Sequence, residues 1–60
     1  MIEYKFGDKY QFVYSDGQTI IGEFRGCNPP SFWIYEEGTI HSKTLDELIQ
    51  NVIEIKLWKE

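Results

Sequence analysis

The sequence predicts an all-β fold with one short helix, its five strands laid out in a way that suits a small barrel, with an N-terminal β extension. Three observations carry that expectation. Apolar and polar residues alternate at period two through most of the chain. Turn signals rich in glycine and acidic residues, Ser15-Asp16-Gly17 and Glu36-Glu37-Gly38, separate the alternating runs. Helical spacing occurs in one short stretch, after Thr44.

Ile2, Tyr4 and Phe6 alternate with Glu3 and Lys5 and read as the extension, broken by Gly7-Asp8. Tyr10, Phe12 and Tyr14 then alternate with Lys9, Gln11 and Val13, and Ile20, Gly22 and Phe24 with Thr19, Ile21, Glu23 and Arg25. A two-residue loop between these strands would split the apolar residues over both faces. A three-residue loop with Gly17 left-handed places Phe12 opposite Ile20, Tyr14 opposite Gln18 and Lys9 opposite Glu23, and gathers Tyr10, Phe12, Ile20 and Phe24 on one face. That register is the expected one, because a slip of one residue exchanges the buried and solvated faces.

The run Gly26-Cys27-Asn28-Pro29-Pro30 holds both prolines and reads as an extended loop. A second hairpin follows, from Phe32 to Tyr35 and from Thr39 to Ser42. By analogy with the first it takes a three-residue loop, pairing Ile34 with Ile40 toward the core, and Trp33 with His41 and Tyr35 with Thr39 on the other face. Thr44-Leu45-Asp46-Glu47 is a capping box. Leu45, Leu48 and Ile49 extend it into a helix of one or two turns that ends near Asn51. Ile53, Ile55 and Leu57 alternate with Glu54 and Lys56 in the last strand.

Sixty residues make one domain, 1–60, with little surface to bury. Such domains draw on disulfides, a metal or a partner chain. Cys27 is the only cysteine and His41 the only histidine, which excludes an intrachain disulfide and a Cys/His zinc site. Four Phe, four Tyr and two Trp supply a dense aromatic core instead. The formal charge of −4 disfavours nucleic-acid phosphates as the primary partner and suits a basic protein surface. No apolar run is long enough to span a membrane, and no signal peptide opens the chain; with one free cysteine, this points to the cytoplasm.

The segment from Asp16 to Asn28 resembles the first motif of Sm-like proteins, with Gly17, Gly22, Phe24 and Asn28 at its turn-glycine, strand-glycine, apolar and acidic places. Gly7-Asp8 before a strand is similar to the entry of many bacterial SH3-like barrels. The resemblance covers about residues 7–57 in layout. It implies a five-stranded, strongly bent SH3-like, Sm-like small barrel and a tendency to oligomerise through edge strands. It does not carry RNA binding across. Asn28 stands at the acidic place, Phe32 stands where the family's RNA site has asparagine, and Ile49-Gln50-Asn51 replaces the Arg-Gly pair of the second motif.

The candidate binding residues are Trp33, Tyr35, His41 and Thr39, which the expected register puts together on the face opposite the core. Exposed Trp and Tyr dominate interface hot spots. The competing reading is that a bent barrel, or self-association, buries these rings. No catalytic residues are assigned, because His41 has no nucleophile beside it and Cys27 lies in the proline-rich loop, read as a small buried hydrophobe. Asp46 and Glu47 read as partners of the helix dipole, and Glu36, Glu37 and Asp16, together with these acids of the helix start, as an acidic rim suited to a basic partner. The expected function is a non-enzymatic protein-interaction module without cofactor or metal, binding itself as a homo-oligomer and another protein. By analogy of size it is of the kind with which bacteria and phages modulate a larger host protein. The alternatives are a nucleic-acid-binding barrel that stacks bases on Tyr and Trp, and an oligomer holding a small ligand in an aromatic pocket between subunits.

Overall fold

The computed structural model describes residues 3–59. Five strands, β1 (Lys9–Tyr14), β2 (Thr19–Gly26), β3 (Ser31–Glu36), β4 (Thr39–Thr44) and β5 (Val52–Leu57), form one antiparallel sheet in the order β4-β3-β2-β1-β5. The helix α1 (Leu45–Leu48) lies between β4 and β5 in the chain. The sheet is not closed. Among the described residues no ladder joins β4 to β5, which are its two edges.

The first hairpin has the expected register. Phe12 pairs with Ile20 and Lys9 with Glu23, the Tyr14 amide donates to the Gln18 carbonyl at 2.8 Å, and Gly17 sits at φ +91°. Tyr10, Phe12, Phe24, Phe32, Ile34 and Leu48 are buried and make the core, with Ile20, Leu45, Val52 and Ile55 packed partly buried against it. Phe12 and Phe24 each meet Phe32 edge to face, at 5.2 and 5.3 Å between ring centroids, the geometry that the ring quadrupole favours. The capping box forms: the Thr44 side chain accepts from the Glu47 amide, and the Glu47 carboxylate accepts from the Thr44 amide. It starts α1 where Leu45 and Leu48 can reach the core. Ile49, expected with them, is 49% exposed.

The second hairpin departs from expectation. Glu36 pairs with Thr39, Tyr35 with Ile40, Ile34 with His41 and Trp33 with Ser42. The loop is therefore Glu37-Gly38, two residues with φ +48° and +81°, a turn whose twist matches that of the strands it joins. Every face assignment on β4 reverses, and Ile40 is 56% exposed on the outer side. Because β4 is an edge strand with Thr39–Lys43 exposed throughout, little burial was at stake, and turn geometry decided the register.

The N-terminal β extension is not a strand over its described part; Ile2 lies outside the described residues. Residues 3–8 cross the end of the sheet. Tyr4 packs on Tyr10, Phe24 and Phe32 at 5.0–5.6 Å. The backbone is satisfied locally, by the Gly7 amide on the Phe24 carbonyl and the Lys5 amide on the Tyr10 hydroxyl. The proline-rich run is a four-residue turn over 27–30 with Asn28 left-handed at φ +67°, not an extended loop. Cys27 is exposed there rather than buried. In β5 a register shift leaves Ile53 outside the ladder, 69% exposed, while Val52 takes the place opposite Tyr14.

Candidate functional site

The outer face of the sheet carries the densest group of chemistry-bearing side chains. Antiparallel pairing puts Lys9 opposite Glu23, Glu23 opposite Trp33, and Tyr35 opposite Ile40, all on the side away from Phe12 and Phe32. Arg25 joins them from a β-bulge, because Phe24 pairs with Phe32 and Gly26 with Ser31, leaving Arg25 as the extra residue. A bulge re-aims the side chain it carries.

Arg25 stacks over two rings. Its guanidinium carbon lies 3.9 Å from the Trp33 ring centroid and 4.5 Å from that of Phe6, which the N-terminal segment delivers to this side. Lys9 stands in the same relation to Tyr35 and Trp58, its Nζ 5.9 and 5.8 Å from their ring centroids. Such contacts are favourable because a cation meets the negative face of the ring. Glu23 joins the two groups. Arg25 Nη1 donates to Glu23 Oε2 at 2.7 Å, and the Tyr35 hydroxyl donates to Glu23 Oε1 at 2.7 Å. The hydrogen bond from Tyr35, then that from Arg25, holds the Glu23 carboxyl below its ordinary range, and the same bond to Glu23 pushes the Tyr35 phenol up. Large apolar surface stays open around this frame: Phe6 is 66% and Tyr35 41% exposed.

Of the four expected site residues, the structure places Trp33 and Tyr35 on this face and Thr39 and His41 on the other. The shifted register of β4 separates them. Thr39 and His41 are exposed at the sheet edge and bond to each other, Oγ1 to Nε2, at 3.1 Å. The single Thr39 hydroxyl hydrogen goes to the Glu36 carbonyl at 2.7 Å, so His41 Nε2 is the donor in that pair. Sequence reasoning missed Phe6, Lys9, Glu23, Arg25 and Trp58 as members of the site. Alternation along β2 already puts Glu23 and Arg25 opposite in sense to Phe24, and that signal locates part of the frame.

A second concavity, a cleft of about 460 Å³, lies between the β1–β2 turn and α1. Asp16, Glu47 and Lys43 line it together with Tyr14, Ile20 and Leu48. Two acids of the expected rim therefore share one cleft, but Lys43 stands with them. Backbone and side-chain hydrogen bonds from Thr44 lower the Glu47 pKa. Among the described residues no three His, Cys, Asp or Glu side chains gather as a metal site, and no helix is long and apolar enough to cross a membrane. No protein-family model, no curated protein and no solved structure matches the chain.

Proposed function

We propose that this chain is a non-enzymatic protein-interaction module, built as a small SH3-like, Sm-like barrel, and that it engages another protein through the outer face around Trp33 and Tyr35. The observation that supports this most directly is the Arg25–Glu23–Tyr35 chain of hydrogen bonds beneath exposed rings. It holds Tyr35 and Arg25 in place, with Arg25 stacked on Trp33, before any partner arrives, and preorganised aromatic and Arg side chains give affinity with little ordering cost. Exposed rings grouped on one face of so small a protein mark an interaction surface. The partner this face fits is an apolar protein surface with acids at its margin, to meet Lys9 and Arg25.

One observation favours a second reading. Both cations are interleaved with rings, an arrangement that also suits stacked nucleic-acid bases. Salt separates the two, because binding to phosphates weakens steeply with ionic strength and an aromatic protein contact does not. The test is the double substitution Trp33→Ala with Tyr35→Ala, assayed by circular dichroism and by recovery of partners on tagged protein at low and high salt. Loss of a stoichiometric protein that wild type retains in high salt supports the module. Co-purifying nucleic acid, removed by salt, supports the second reading. A folded double variant with undiminished recovery overturns both.

A further inference from the structure

We propose that the cleft between the β1–β2 turn and α1 binds a basic amino acid, free or at the C-terminus of a peptide. The ligand chemistry is a carboxylate at one end, a cation at the other and an aliphatic stem between them. The cleft lies on the core side of the sheet, away from the outer face around Trp33 and Tyr35, so this site does not rest on the reading above.

The cleft exists because α1 is too short to cover the whole core side. The helix sends Leu48 into the core and leaves Ile20 half-buried on the cleft floor. The walls are fixed without a ligand. The Ser15 amide donates to the Asn51 carbonyl at 2.8 Å, and the Tyr14 hydroxyl donates to the Leu48 carbonyl at 2.9 Å. Both bonds tie the turn end of the first hairpin to the end of the helix, and a preformed site binds with little ordering cost. The volume of about 460 Å³ is that of a small-molecule site.

Three charges line this cleft from different elements. Lys43 stands opposite Phe32 in the β3–β4 ladder and therefore shares its core side. Glu47 follows four residues later, across the helix cap. Hydrogen bonds from Thr44, and with them the nearby charge of Lys43, hold the Glu47 carboxyl below its ordinary range. Asp16 enters from the β1–β2 turn. Each acid keeps an oxygen for a ligand. Asp16 Oδ1 accepts from the Gln18 amide at 3.0 Å and Glu47 Oε1 from the Thr44 amide at 3.1 Å, while among the described residues nothing donates to Oδ2 or Oε2. Lys43 makes no hydrogen bond and no ion pair among the described residues.

A basic amino acid complements this arrangement group by group. Lys43 and Glu47 form a neighbouring pair of opposite charges, the inverse of the pair that an α-carboxylate and an α-nitrogen present. Lys43 takes the carboxylate and Glu47 the nitrogen. Asp16, on the turn, takes the cation at the end of the side chain, and the methylene stem lies over Ile20 and Leu48. Charge-assisted hydrogen bonds supply the affinity. Selectivity follows because a ligand lacking either end leaves a charge of the site without its partner.

Isothermal titration calorimetry of the full chain with L-lysine and L-arginine tests the inference. One molecule should bind per chain. L-norleucine lacks the side-chain cation and cadaverine lacks the carboxylate, and each should bind about ten-fold more weakly or worse, the cost of one charged hydrogen bond. Asp16→Asn and Glu47→Gln retain a carbonyl oxygen for the turn and cap bonds, and Lys43→Gln removes the cation; each should weaken L-lysine by a similar factor with native circular dichroism. Lys56→Gln, an exposed site on β5, should change nothing. A short peptide ending in lysine separates the two sources. Tight binding with a free C-terminus, lost on amidation, assigns the ligand to a chain terminus, and binding of L-lysine without the peptide assigns it to the free amino acid; both support the site. The proposal is overturned if neither L-lysine nor L-arginine binds, if an analogue or the amidated peptide binds as tightly as L-lysine, or if the three folded variants bind as wild type does. Should a variant lose its native dichroism, the comparison of ligands on wild type decides the matter.

Discussion

Gly22 lies directly opposite Ile34 in the β2–β3 ladder, and a β-carbon placed on Gly22 would come within 2.8 Å of Ile34 Cδ1. The same β-carbon would meet Phe32 Cβ at 3.3 Å and the Phe12 ring at 3.4 Å. The strand thus has a glycine because three core side chains close over that point. Gly22→Ala should cost about 1–3 kcal/mol by overpacking. Ile34→Val removes the Cδ1 atom, so the double variant should be less destabilised than the sum of the two singles. Urea unfolding of the four proteins checks this, and strict additivity would place the clash elsewhere.

Ile53 and Ile55 are two residues apart in one strand and should behave differently. Ile55 sits opposite Phe12 and is packed partly buried against the core, whereas Ile53 falls at the register shift and is 69% exposed. Ile55→Ala should cost ~2 kcal/mol, at the low end for a buried aliphatic truncation. Ile53→Ala should stay within ~0.5 kcal/mol of wild type. Equal costs in a denaturant titration would show that the bulge does not form.

The capping box at Thr44 and Glu47 closes α1 with reciprocal hydrogen bonds. Thr44→Ala should lower stability by about 1 kcal/mol. Adding Glu47→Ala should remove less than that substitution removes alone, because the two side chains serve one motif. Thermal unfolding of the single and double variants reads the difference.

Acid should weaken the outer-face frame. The Glu23 carboxyl is lowered from its ordinary value of 4.5 by the hydrogen bonds from Tyr35 and Arg25. A depressed folded-state value means that the unfolded chain takes up its proton first as the pH falls. The stabilisation is therefore present above the ordinary value and is lost as the pH drops through the lower folded one. Glu23→Gln should flatten the fall of the melting temperature across that acidic interval and leave the curve near neutrality parallel to wild type. An unchanged acid limb would mean that Glu23 titrates as an unbonded carboxyl.

The strands and the helix start were legible where the signal is local. Alternation named the inward residues of β1 and β2, the Ser15-Asp16-Gly17 loop set their register, and Thr44-Leu45-Asp46-Glu47 marked the helix. Half of the candidate site was legible too, since Trp33 and Tyr35 do point away from the core. The other half was not. Thr39 and His41 were joined to those rings by analogy with the first hairpin, and one residue of register moved them to the opposite side.

By itself, then, the sequence determined the all-β class, the order of the elements, the inward set Tyr10, Phe12, Phe24 and Ile34, and the helix cap, because each depends on neighbours a few residues apart. Only the tertiary structure decided the register of β4, the place of Ile53, the path of Tyr4 and Phe6 across the sheet end, and the gathering of Lys9, Glu23, Arg25 and Trp58 around Trp33 and Tyr35. Those outcomes turn on small differences at the margins of the core. At an exposed edge strand neither face is strongly buried, so the twist of a two-residue turn outweighs the weak preference of Ile40 for the interior.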